Sequence, residues 1–204
     1  MVVIVKPNGE TMTSEVRDRM VAGAVRLLAQ RGLQATSFTT VLAETGAPRG
    51  SIYHHFPGGK EELVTAAIGA AQRHVLSLVD RDTGAPAVDV ARSFLQSWRA
   101  LLTYAEFGAG CALVAVTVAA ESENERQRAA EAFTAWRDKL AGALEAGGLS
   151  GGDARSAATL LLAASEGAVL MSRAQRDIES FDLVAAQLID HVRALAARHH
   201  VAGQ

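Results

Sequence analysis

Between Thr39 and Phe56 the chain reads TTVLAETGAPRGSIYHHF, and Arg49, Gly50, Ser51, Tyr53 and His54 in it would share the outer face of one short helix. These are hydrogen-bond donors and slim residues, the set that a helix laid in a DNA major groove needs. Arg49 suits a guanine edge or a phosphate. Thr40, Ser51 and Tyr53 offer hydroxyls to phosphates, and Gly50 lets backbone approach backbone closely. His54 can do either job, with a charge that depends on pH. The alternative for Tyr53 and His55 is packing within the domain. That alternative is preferred for His55, and phosphate contact for Tyr53.

Two helices must position this set. Thr39 can cap the first, which carries Val41, Leu42 and Ala43. Gly46 falls where a helix stops in a left-handed residue, a conformation open to glycine without a Cβ clash. Ala47 and Pro48 carry the turn, and Pro48 lacks the N–H to continue the first helix. The second helix starts near Arg49 or Gly50. Val41, Leu42, Ile52 and Phe56 are spaced to meet in a shared core, with Ala43 small where the two helices touch. The unit is a helix-turn-helix.

The run from Ala43 to Leu63, AETGAPRGSIYHHFPGGKEEL, resembles the DNA-binding domain of the tetracycline-repressor (TetR) family of transcriptional regulators. The shared features are the Ala before the turn, the turn Gly, a Gly-hydroxyl-aliphatic-Tyr run, His-Phe, and Lys-Glu-x-Leu. The likeness covers roughly residues 13–65. A second likeness, in Phe107-Gly-Ala-Gly-Cys111 and the apolar run after it, points to the branch that contains lincomycin-resistance-type repressors. The resemblance implies DNA-contacting roles at the matching positions and a helical ligand-sensing domain downstream.

Charge is distributed to match. The formal net charge is −2, yet residues 1–60 carry 7 Lys/Arg against 4 Asp/Glu, and residues 61–204 carry 13 against 18. A basic head on an acidic body suits a head that meets phosphate. Apolar residues make up 49% of the 204, aromatics only 5%, which fits an Ala/Leu/Val-rich helical chain long enough to bury a core. Cys111 is the single cysteine, so no intrachain disulfide can form and a reducing compartment is expected. The run Cys111–Ala120 is about half a bilayer span, and the first residues have no signal-peptide core. The expectation is a cytoplasmic protein with no membrane partner.

The coarse organisation is all-α: a flexible arm over 1–12, a helix-turn-helix DNA-binding domain over 13–60, and a helical ligand-binding and dimerisation domain over 61–204. Lys6 in the arm is taken as part of a frayed tail. The first helix is expected from Thr13, its cap, to Arg31, stopped by Gly32. Lys60 opens a long helix to Val79, where a cation beside free N–H groups suits a phosphate; a solvated lysine is the alternative. Further helices are expected at about 87–106, 111–120, 122–145, 150–173 and 178–198. Ser122 to Glu125 has capping-box spacing, and Ser150 to Asp153 has that spacing with an acid at its end.

Two more residue sets stand out. Phe94, Trp98, Tyr104, Phe107, Phe133 and Trp136 flank the apolar Cys111–Ala120 segment and, with Cys111 at its start, can line a small-molecule cavity, with Thr117, Glu166, Tyr104 and Gln96 as polar anchors. Glu166, an acid among small residues, suits a cationic or hydroxylated ligand, or an arginine at an interface. An ordinary packed core is the alternative for each residue singly. The last two helices carry apolar stripes, Leu160, Ala164 and Ala168 on one and Leu188, Val192 and Leu195 on the other. Two such pairs can form a four-helix bundle across a two-fold axis, or each can cover its own core.

Catalysis has little to work with. Cys111 sits in an apolar run, which suits a buried structural thiol. His54-His55 and His199-His200 are adjacent pairs that do not share a helical face, so no metal site is expected. No phosphate loop or nucleophile elbow occurs, and no cofactor is expected. About three or four side chains of a short recognition helix reach base edges, so a specific site calls for two heads on a palindromic double-stranded DNA operator. The reading is a homodimeric, ligand-responsive transcriptional regulator, a repressor released by a small apolar effector. The other class is a helical small-molecule-binding module without DNA function.

Overall fold

The computed structural model describes residues 9–202, with side chains over 14–198. Among the described residues there are nine helices and no strand: α1 Gly9–Ala35, α2 Phe38–Thr45, α3 Arg49–His55, α4 Gly59–Asp80, α5 Ala87–Tyr104, α6 Ala112–Ala119, α7 Glu123–Ala146, α8 Gly151–Gln175 and α9 Glu179–Ala202. Helix α1 begins at Gly9, so Thr13 is not its cap and the expected arm shortens. Lys6 lies outside the described residues. The break expected at Gly32 is present, with φ 79°, and a last turn follows it within the same element.

The helix-turn-helix forms for local reasons, one of which the sequence reading misplaced. Ser37, not Thr39, caps α2: its side chain accepts from Thr40 N while Thr40 Oγ1 accepts from Ser37 N, a closed capping box. Gly46 ends α2 in the left-handed region, φ 65°, and its N–H donates to Leu42 O. Val41, Ile52 and Phe56 are fully buried, each burial contributing about 1.5–3 kcal/mol. Ala43 is exposed, so it is not the point of close approach. A different pair, α1 and α2, approach closely at Gly23, where an added Cβ would lie 2.5 Å from Thr45 Cγ2.

Helices α4 to α9 pack into the larger core, and α1 joins it by packing on α4 and α6. The serine caps form as expected: Ser122 makes a capping box with Glu125, and the Ser150 side chain accepts from Asp153 N. Polar contacts tie the N-terminal helices to the body. Glu61 Oε1 on α4 accepts from Ser122 Oγ (3.1 Å) and Asn124 Nδ2 (2.8 Å). Gly110 N donates to Ala29 O on α1 (2.9 Å), and Trp136 Nε1 on α7 donates to Gln72 O on α4 (3.3 Å). Any shift of α7 or of the loop before α6 is therefore felt by the helices that carry α2 and α3.

Candidate DNA-binding face and ligand cavities

Helix α3 presents Arg49, Gly50, Tyr53 and His54 to solvent, and Thr39 is exposed in the first turn of α2. Tyr53 is 69% exposed, yet its ring meets Phe38 edge-on at 5.4 Å. The ring is thus braced by the domain while most of the residue remains open to a partner. Two hydroxyls assigned as phosphate donors are already used. Ser51 Oγ donates to Pro48 O at 2.6 Å. Thr40 Oγ1 lies 2.9 Å from both Ala35 O and Ser37 O, to which it can donate. Helix capping and turn closure claim these groups because short hydroxyl side chains at a helix start lie within reach of the neighbouring backbone carbonyls. His55 is half-buried beside Phe56, and burial first, then the charges of His54 and Arg17, lower its pKa. Lys60 is half-buried in the first turn of α4, where Glu62 Oε2 already accepts from Gly58 N at 2.8 Å.

The expected ligand-binding set is divided between two cavities. The larger, about 900 Å³, is lined by Phe94, Trp98, Tyr104, Cys111 and Trp136 of that set. The smaller, about 380 Å³, is lined by Thr117, Phe133 and Glu166. Phe107 lines neither. The loop turns left-handed at Glu106 and Phe107, φ 48° and 62°, and Phe107 packs against the core. Non-glycine residues there cost about 1–3 kcal/mol each. Arg173 of α8 and Arg176, the residue that caps that helix, offset this by donating to the Phe107, Gly108 and Glu106 carbonyls. Gln96 is exposed and lines neither cavity.

Sequence periodicity missed the largest part of the main wall. Ala22, Val25 and Ala29 of α1 and Ala70, Ala71 and Val75 of α4 line it, with Gln30, His74, Ser93 and Ser97 among its polar positions and Arg26, Arg81 and Asp82 as charged ones. The alanines of α4 divide: Ala67 is fully buried in packing, while Ala70 and Ala71 border the cavity. The available signal was the polar residue recurring between apolar neighbours, as His74 does between Ala71 and Val75.

Cys111 and Glu166 meet where the two cavities adjoin. Burial pushes the Glu166 carboxyl up to about 7, and the nearby Cys111 thiol opposes that shift. Burial first and the Glu166 charge second push the thiol well above its ordinary range. A thiol so disfavoured as thiolate is a poor nucleophile. Among the described residues no group of three or more His, Cys, Asp or Glu could hold a metal ion, and no helix is long and apolar enough to cross a membrane.

The apolar stripes of α8 and α9 are also reassigned. Ala168, Leu188, Val192 and Leu195 are buried within the subunit, and Ala164 is half-buried, so they cover their own core rather than offering a face. Leu160, at 42% exposure, is the outward one, and it lies on a stripe with Ala163, Gly167 and Leu170. Met171 of α8 is 51% exposed, and Leu183 of α9 is 63% exposed. The two faces of α8 are each apolar, which is why hydrophobicity alone assigned the wrong residues to the outside.

A braced recognition helix on a three-helix unit, joined to a cavity-bearing helical body, defines a helix-turn-helix regulator. Residues 20–67 match the family description "Bacterial regulatory proteins, tetR family", and residues 87–187 match "Transcriptional regulator LmrA/YxaF-like, C-terminal domain". An uncharacterized HTH-type transcriptional regulator of Mycobacterium tuberculosis is 37% identical over 179 residues, covering 84% of this chain and 91% of that protein. The HTH-type transcriptional regulator LmrA of Bacillus subtilis is 30% identical over 161 residues, 76% of this chain and 85% of that one. A regulatory protein TetR from Rhodobacter sphaeroides superposes with a TM-score of 0.77 at 18% identity, covering 86% of this chain and 98% of that chain. The chain belongs to the TetR family of transcriptional regulators, with a C-terminal part of the LmrA/YxaF-like type. Its relatives are regulators of transcription, not enzymes.

Proposed function

We propose that this regulator is a ligand-responsive repressor, working in the cytoplasm as a homodimer on a palindromic operator. We place the DNA-binding domain at 13–60 and the ligand-binding and dimerisation domain at 61–204, with α4 running across the joint. The observation that carries the reading is the composition of the main cavity wall: α1 and α4, which bear the helix-turn-helix, form one side of it. An apolar effector there touches the helices that position α3. Arg49, Gly50, Tyr53, His54 and Thr39 form the DNA face, with Lys60 at its edge. Ser51 and Thr40 serve the fold of that face.

The mechanism is a population shift. Without effector, two recognition helices adopt the spacing of successive major grooves, about 34–36 Å. An effector that binds better to a conformation with a wider cavity displaces α4 and moves the heads off that spacing. It shifts the equilibrium only by its differential affinity for the two states. The exposed apolar residues Leu160, Leu170, Met171 and Leu183 of α8 and α9 support the dimer, since apposing two copies there buries them.

The test is binding of the purified protein to the DNA upstream of its own gene across a salt series, beside Arg49→Ala and Tyr53→Phe. The expected result is tight binding whose affinity falls steeply with salt through counterion release, weakened in both variants. Effectors are then screened for release of that complex. A folded protein that binds neither this DNA nor a random-site pool at low salt would instead be a small-molecule-binding module.

A further inference from the structure

The smaller cavity lies between α6, α7 and α8, and most of its lining carries no charge: Val114, Val118, Phe133, Leu162 and Ala163 surround the threonines. The hydroxyls of Thr117 and Thr159 donate to Leu113 O and Arg155 O within their own helices. Arg137, at the rim, is held by Asp138 through Nε (2.9 Å) and Nη2 (2.7 Å), so its guanidinium is already neutralised. Against this background Glu166 is the exception. Its Oε1 is buried with no hydrogen-bond partner among the described residues. An unpaired carboxylate oxygen in an apolar setting is costly, and a donor that reaches it recovers that cost.

We infer that the α6–α7–α8 cavity is a second small-molecule site, distinct from the large cavity, that takes a small organic amine with its ammonium on Glu166 and its apolar body against Phe133 and Val114. The chemistry selects a cation: the charge at the rim is paired, the hydroxyls keep acceptor lone pairs, and the one unsatisfied group is an acid. At about 380 Å³ the space is near the lower end of drug-sized sites, which suits a single ring with a short amine tail. Cys111, near enough to Glu166 for the two groups to influence each other, also lines the large cavity, so the two sites are neighbours.

Occupancy depends on pH in a defined direction. The titratable and charged groups around Glu166 are the Cys111 thiol before α6, Arg137 and Asp138 on α7, and Arg155 on α8, which lies 4.0 Å from Asp138. The Glu166 carboxyl stands at about 7 in the free site. An alkylammonium stays charged between about pH 6 and 8. Amine affinity therefore falls about tenfold per unit below pH 7, where the ligand must displace a proton, and levels off above it.

The experiment is calorimetry of the full-length protein with 2-phenylethylamine against its neutral isostere 2-phenylethanol, from pH 6 to 8.5. Parallel titrations use Glu166→Gln and Thr134→Phe, the second filling the cavity from α7 without touching the carboxylate. An apolar dye in the large cavity serves as the fold control, and no DNA is needed, so failure here is separable from failure of the repressor reading. The expected result is that the amine binds at least tenfold more tightly than the alcohol, weakens below pH 7 as stated, and is lost in both variants while dye binding persists. Equal affinity for the two probes, or amine binding that survives Glu166→Gln, overturns the assignment. So does a wild-type protein that binds no amine while Thr134→Phe weakens its self-association, because the groove is then covered by a second copy.

Discussion

Gly23→Ala tests how α2 is set against α1. In an exposed helix the change would stabilise by about 0.8–1.0 kcal/mol through helix propensity alone. Here the new methyl would lie 2.5 Å from Thr45 Cγ2, against about 3.5–4.0 Å for carbons in contact. Thr45 cannot rotate away cheaply. It is β-branched, and its Oγ1 donates to Val41 O at 2.7 Å, which fixes the rotamer. Relief by about 1 Å of displacement between α1 and α2 carries the usual overpacking cost of about 1–3 kcal/mol. Gly23→Ala should therefore come out destabilising by about 0–2 kcal/mol, the clash outweighing the propensity gain. Thr45→Ser removes Cγ2 and keeps the hydroxyl, so in that background Gly23→Ala should stabilise. Urea melts of the four proteins give the coupling energy, expected at about 1–3 kcal/mol. DNA-binding titrations should show the single Gly23→Ala variant weakened and the double variant restored, because α2 and α3 move together. Additive melts, with Gly23→Ala stabilising in both backgrounds, would refute the close approach.

Glu166 and Gly147 give two further outcomes. The Glu166 carboxyl ionises at about 4.5 when unfolded and about 7 when folded, so its folded pKa is raised. Its contribution is fully present below pH 4.5 and is lost as pH rises to about 7, a change on the order of 3 kcal/mol. Wild type should lose stability relative to Glu166→Gln across that window in thermal melts, and parallel pH profiles would contradict the burial of this group. Gly147→Ala would bring a Cβ within 2.5 Å of Ala87 N and 2.6 Å of Ala85 O, backbone atoms that cannot step aside. Since Gly147 O also accepts from Ala87 N, this joint between α7 and α5 should lose at least about 2 kcal/mol in urea melts; a neutral effect would mean the joint is loose.

The recognition unit was legible in the sequence because its determinants are local. Gly46 sits where the backbone must turn left-handed, Pro48 cannot extend α2, and the spacing of Val41, Ile52 and Phe56 defines one buried face. The caps at Ser122 and Ser150 arise equally from neighbours three residues apart. Even the local misreading has a local cause: Thr39 and Ser37 are both good caps, and the box closes on Ser37 because Thr40 is three residues on.

The use of apolar surface was decided in three dimensions. Leu160 and Leu188 look alike in a stripe, but one is turned out and the other is closed against the subunit's own helices. Phe107 and Trp98 are both aromatics near the Cys111 segment, but a left-handed turn held by Arg173 takes the first away from the cavity. The alanines of α4 could have met a helix or a void, and they divide: Ala67 is packed in the core while Ala70 and Ala71 border the cavity. Hydrophobic burial has no direction of its own. Periodicity therefore identifies a face, and the surface that face meets is set by helices far away in the chain.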